Sequence, residues 1–97
     1  MKYEVILKPD AENDLDGVRK YEARWIADAI ERHLTREPEK VSRSRIKRLR
    51  GRQPADYRLR VGDFRVFYMV DADESTVLVL RILHKERTAA FYRKEEP

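Results

Sequence analysis

The sequence predicts an α+β domain of two layers: an N-terminal strand, a helical hairpin, then a three-stranded antiparallel meander. Three observations carry this reading. Apolar residues recur at threes and fours between residues 22 and 36, as on one face of a helix. They alternate with polar residues between 57 and 70, the period of a half-buried strand. Between 76 and 84 they occupy both parities, as in a central strand covered on two sides.

The chain has 97 residues, room for one small core, and the whole span 1–97 is expected to be a single domain. Hydrophobic and charged residues each make up 41%, so a core is affordable beneath a very polar surface. Cysteine is absent, which excludes a disulfide framework, thiolate chemistry and a Cys-based zinc site; no metal or cofactor is expected. The apolar run at the start is too short for a signal peptide and is followed by acids. No stretch approaches the roughly 20 apolar residues of a membrane span. A soluble cytoplasmic protein with no membrane partner is expected.

Taken in order, Lys2 to Lys8 alternates, with Tyr3, Val5 and Leu7 on one side and Glu4, Ile6 and Lys8 on the other. Pro9 ends this strand and suits a first helical turn, with Asp10 as an early acid. A short helix runs to Gly17 or Lys20, and after a break a longer one spans Glu22 to Arg36. On the longer helix Ala23, Ile26, Ala27, Ile30 and Leu34 form one apolar stripe. Trp25 is read as core or rim, and His33 as a surface residue compatible with the helix C-terminus; neither is given a chemical role.

Pro38 closes the helix. Val41 to Arg50 is either a helical turn or extended, anchored by Ile46 and Leu49, and Gly51 offers a stop. In Tyr57–Val61 the period of two sends Tyr57, Leu59 and Val61 to the core and Arg58 and Arg60 to the opposite face. Gly62-Asp63 has the composition of a tight hairpin turn. On the return strand Phe64, Val66, Tyr68 and Val70 share one face, and Arg65, Phe67 and Met69 the other. An antiparallel hairpin then brings Arg58, Arg60 and Arg65 to one side of the sheet. The tail from Lys85 onward is short and charged, with room for one or two helical turns.

Positive charge is placed rather than spread. Residues 43–70 hold 9 Lys or Arg against 2 acids, a local +7 in a protein whose total is +4. Clustered cations of this kind suit a polyanion, and Arg45, Lys47, Arg48, Arg50 and Arg52 are candidate contacts to its phosphates. The same arginines on an edge hairpin can instead discourage strand-to-strand aggregation or pair with the acids of a protein partner.

Three strings carry a family resemblance: LRG at Leu49–Gly51, YRLRVGDFRVFYMV at Tyr57–Val70, and VLRILHK at Val79–Lys85. They resemble the RelE/ParE toxin superfamily of bacterial type II toxin–antitoxin modules, over the whole chain in element order. The chain looks closer to the RelE branch, ribosome-dependent mRNA endonucleases, than to the ParE branch, which inhibits DNA gyrase. The resemblance implies a metal-independent mRNA interferase acting on ribosome-bound message. Its catalytic residues would be Arg58, Arg60, Arg65, Lys85 and Tyr92, with Phe91 competing for the place of Tyr92. It also implies a cognate antitoxin, disordered alone and folding on docking, with Phe67 and Met69 as anchors on the toxin.

One departure bears on the chemistry. Active relatives commonly carry lysines in the first hairpin strand, where this chain has two arginines, which do not give up a proton. The general base then falls to Lys85 or His84. The alternative is a ParE-like or attenuated toxin that binds a protein target, or only its antitoxin, without efficient cleavage.

Overall fold

The structure, a computed structural model, describes residues 2–92. Strand β1 (Glu4–Leu7) leads into helices α1 (Pro9–Asp16) and α2 (Lys20–Leu34); strands β2 (Ile46–Arg48), β3 (Tyr57–Val61), β4 (Phe64–Asp71) and β5 (Thr76–His84) follow, and a 3₁₀ turn spans Lys85–Ala90. They form one five-stranded sheet in the order β1-β5-β4-β3-β2. β1 runs parallel to β5, and the other neighbours are antiparallel.

The two-layer α+β arrangement is the one expected, with a fifth strand added. The stretch left open between Val41 and Arg50 runs extended, and Ile46–Arg48 pairs with β3 as an edge strand. Its anchor Ile46 is buried and its basic side chains are exposed. Pro9 opens α1, where its missing N–H costs no intrahelical bond.

Helix α2 buries Ile26, Ile30 and Leu34 against the sheet. The expected stripe needs one change: Ala27 is exposed, and Ala29 is the alanine that packs against the core. Trp25 is 49% exposed and sits at the rim with its ring over Gly62, the first residue of the β3–β4 turn. Gly62 has φ +58°, and a Cβ there would overlap the Trp25 ring, so both backbone and packing require glycine. A positive φ at the first of two turn residues, with none at Asp63, is the pattern of a type II′ hairpin turn.

Strand β5 shows why its sequence reads as apolar on both faces. Phe67 lies opposite Arg81 but Tyr68 lies opposite Val79, so Leu80 is an extra residue, a β-bulge. The bulge resets parity, and Val77, Val79 and Ile82 all reach the buried core below the helices.

Two polar ties hold the layers together. The Asp14 carboxylate of α1 accepts from Arg81 Nε at 2.7 Å, Arg81 Nη2 at 3.0 Å and the Ile82 backbone N–H at 2.9 Å, just beyond the bulge. That hydrogen bonding raises the Arg81 pKa above its ordinary value. On the other side of the core, the fully buried Tyr68 stacks on Tyr57 at 5.6 Å and donates its hydroxyl to the Pro38 carbonyl at 2.6 Å. Burial, then the nearby Tyr57 and Glu39, push the Tyr68 phenol far above its usual pKa, so it is a structural donor. Tyr68→Phe leaves the Pro38 carbonyl buried without its donor and is expected to cost about 1–2 kcal/mol, read as a lower midpoint in denaturant unfolding. Among the described residues no helix is long and apolar enough to cross a membrane.

Candidate nucleic-acid interface

Side chains directly opposite one another on paired strands share a face of the sheet. Arg60 lies opposite Arg65, Arg58 opposite Phe67, and Lys47 opposite Arg58. Their alternate neighbours Leu59, Val61, Val66 and Tyr68 fill the core under the helices. The register therefore places Lys47, Arg58, Arg60 and Arg65 together on the side away from α1 and α2. Like charges in opposed positions repel, so the Arg60–Arg65 pair is a site where a bound anion would relieve strain.

Arg65 is held by two backbone carbonyls. Its Nη1 donates to the carbonyls of Gly62 and Phe64, each at 2.9 Å, which fixes the guanidinium over the hairpin turn. The Nε–Nη2 edge remains as a fork of the shape that takes two phosphate oxygens. Partial burial first, then Arg58 and Arg60, lower the Arg65 pKa, as follows when three guanidinium groups share one field. Among the described residues, Arg58 Nε is the buried side-chain nitrogen or oxygen without a hydrogen-bond partner.

The C-terminal segment caps the centre of this face. Phe91 packs 4.4 Å from the Phe67 ring and Tyr92 meets it edge-on at 5.4 Å, over a small second core with Ala55 and Leu83. Phe67 is thus fully buried and not the exposed antitoxin anchor expected; its parity is that of the arginines, but the returning chain covers it. Met69, two residues on and past the cap, is 40% exposed. Tyr92 also lines a cavity of about 370 Å³ with Lys47, Arg48, Leu49, Arg50, Gln53 and Arg58, and its phenol lies close enough to Arg65 to influence it.

The other expected site residues divide. Lys85 is drawn to the hairpin tip, where its Nζ pairs with Asp63 at 3.4 Å and its backbone N–H donates to the Asp63 carbonyl at 2.7 Å. His84 lies opposite Phe64 on the helix side, in edge contact at 5.6 Å, and its Nδ1 accepts from the Glu86 N–H. Two of the five expected RNA contacts also stand on the helix side. Arg48, opposite Tyr57, donates to the Tyr57 hydroxyl at 3.1 Å and lies 5.5 Å from its ring centroid. Arg45 lines a separate hollow with Arg32, His33 and Arg36, where burial, then Arg45 and Arg32, lower the His33 pKa. Alternation on β2 accounts for Arg48: Lys47 faces one way, and Ile46 and Arg48 the other. Arg45 lies in the bend before the strand, where alternation does not set its direction. Arg52 is exposed in the loop after Gly51.

Gln53 is a lining residue that sequence reading took only for part of a turn. Nothing local marks it, because the loop from 49 to 56 meets the cap only in the folded chain. Among the described residues no group of three or more His, Asp or Glu side chains is gathered as for a metal ion.

A family model described as "ParE toxin of type II toxin-antitoxin system, parDE" matches residues 5–89. No curated protein matches the chain. Among solved structures, the toxin–antitoxin complex RelBE2 from Mycobacterium tuberculosis contains a chain 27% identical, with TM-score 0.76 over 87% of this chain and 92% of that one. The archaeal RelE–RelB complex from Pyrococcus horikoshii gives 26% identity and TM-score 0.67, covering 90% and 99%. The RelB–RelE complex from Methanococcus jannaschii, at 22% identity and TM-score 0.65 over 91% and 99%, shares the fold.

Proposed function

The chain belongs to the ParE toxin family of type II toxin–antitoxin systems, within the RelE/ParE superfamily, and from that premise we propose that it is a cytoplasmic mRNA interferase of one domain, residues 1–97, acting on ribosome-bound message. Its protein partner is an antitoxin, in keeping with solved relatives described as toxin–antitoxin complexes. The observation that carries the nuclease reading is the gathering of Arg58, Arg60, Arg65 and Lys47 on the sheet face that the helices leave open, around the Phe91–Tyr92 cap.

The reaction suited to such a face is attack of a ribose 2′-oxygen on the adjacent phosphorus. The new O–P bond forms as the bond from phosphorus to the 5′-oxygen breaks, leaving a cyclic phosphate and a 5′-hydroxyl. Negative charge builds on the non-bridging oxygens, and guanidinium groups held in place beforehand stabilise it without reorganising. Arg65 is the principal stabiliser, with Arg60 opposite and Arg58 alongside. The Tyr92 phenol, beside Arg58 and Arg65, supplies the proton to the departing 5′-oxygen. No arginine accepts the proton of the 2′-hydroxyl; that proton passes to the amine of Lys47, the lysine that strand register puts on this face.

A second reading, a toxin that grips its target without cutting, is favoured by the placement of Lys85 and His84. One is paired at the hairpin tip and the other lies on the helix side. Induction of the gene followed by primer extension on a translated message separates the two. Cuts phased with the ribosome and lost in Arg65→Ala support cleavage. Growth arrest with uncut message overturns it.

A further inference from the structure

The side of the sheet that carries the arginines has a second half of opposite character. Ile6 lies opposite Leu78, and Leu78 opposite Met69, so the three side chains form one apolar row across β1, β5 and β4. Their alternate neighbours Val5, Leu7, Val77, Val79 and Val70 pack toward the helix-side core. The row therefore faces away from the helices. The aromatic cap packs only as far along β5 as Leu80, and Ile6 and Met69 are left 44% and 40% exposed.

The next row outward is Glu4, Thr76 and Asp71, again directly opposed. Asp73 and Glu74 follow in the β4–β5 turn, which is held by Asp71 accepting from the Glu74 N–H at 3.1 Å. Met69, Leu78 and these turn residues enclose a hollow of about 690 Å³ with no basic side chain in its lining. In a chain of net charge +4 that is a local reversal of sign. The aliphatic row calls for apolar burial and the carboxylates call for cations, so a complementary occupant carries aliphatic side chains flanked by Lys or Arg.

We propose that the row Ile6–Leu78–Met69 and its acidic rim dock an amphipathic, basic-flanked segment of the antitoxin. This is a different segment, of opposite charge, from any that covers the arginine face. The proposal rests on the antitoxin partner of the preceding reading and not on RNA cleavage. A partner spanning the whole side is then oriented by charge: reversed placement would set acid against acid at one end and base against base at the other. A second copy of this chain, turned about a two-fold axis so that its basic half meets this acidic one, is the competing occupant, and self-association of the free toxin is its signature.

The test uses the toxin–antitoxin complex without RNA. Ile6→Lys/Met69→Lys places two cations on exposed positions, and thermal unfolding of the free toxin verifies that it folds. Affinity for the antitoxin is expected to fall tenfold or more. Carbodiimide coupling of the wild-type complex is expected to join Glu4, Asp71, Asp73 or Glu74 to antitoxin lysines. In a second variant, Asp71→Lys/Glu74→Lys, affinity should fall and those cross-links should shrink. Unchanged affinity in both variants, or tighter binding in the second, overturns the proposal. So does self-association of the free toxin that the first variant abolishes, since the occupant would then be a second copy. Because no RNA is present, failure here leaves the cleavage reading standing, and uncut message leaves this docking surface standing.

Discussion

Arg65→Ala is expected to lower the rate of message cleavage by about 10²–10³, the usual loss when one preorganised stabiliser of a developing oxyanion is removed. The position is chosen by geometry. Arg60 and Arg58 belong to the same field, but Arg65 alone of the three is tied by one nitrogen to two backbone carbonyls of the hairpin turn. A guanidinium already oriented needs little reorganisation when the phosphate arrives. Arg65→Lys separates charge from shape: it keeps the cation but loses the planar fork, and is expected to fall between wild type and alanine. Single-turnover cleavage by both variants on programmed ribosomes is the measurement, with thermal unfolding to confirm that the turn survives. Equal rates in all three proteins would move the chemistry off this face.

Asp14→Ala is the largest expected loss of stability, about 3 kcal/mol, because it strips a largely buried carboxylate of three bonds at once. The side chain of Asp14 is 15% exposed and that of Arg81 36%, so this ion pair is far less open to solvent than Lys40–Glu37 at 70% and 64%. Removing the acid also leaves the Ile82 N–H without its acceptor next to the bulge. For a chain of this size, each kcal/mol moves Tm by about 4–8 °C, so a fall of more than about 10 °C is expected. Asp14→Asn keeps an acceptor oxygen for Ile82 but not the charge, and should lose less. Arg81→Met keeps the bond to Ile82 intact and should lose less than the alanine variant. Arg81→Met as damaging as Asp14→Ala would show that the guanidinium, and not the backbone bond, dominates.

Much of the architecture was legible in local pattern. The three-to-four spacing of α2, the alternation of β3 and β4 and the Gly62-Asp63 turn each follow from short-range sterics and from which face needs burial. Those same rules put Arg58, Arg60 and Arg65 on one side. Alternation is a property of a strand by itself, and a two-residue turn fixes which residues oppose which. The resemblance in Tyr57–Val70 added the toxin family, which the match over residues 5–89 shows.

What tertiary structure alone decided was everything that depends on two distant segments meeting. Phe67 has the parity of an exposed residue, yet Phe91 and Tyr92 return across the sheet to bury it. Arg48 belongs to the same basic run as Lys47 but faces the helices, because pairing with β3 turns that run into a strand and divides its charges between two faces. Arg45, in the bend before the strand, lines a hollow with residues of α2 and the turn after it. The Asp14–Arg81 bond, 67 residues apart in sequence, leaves no local trace, and the bulge at Leu80 leaves only apolar residues on both parities of β5, a pattern that a strand covered on two sides gives as well. Period and charge thus determined which residues are candidates. Long-range packing determined which of them stand together, because burial and opposition are relations between segments and not properties of either one.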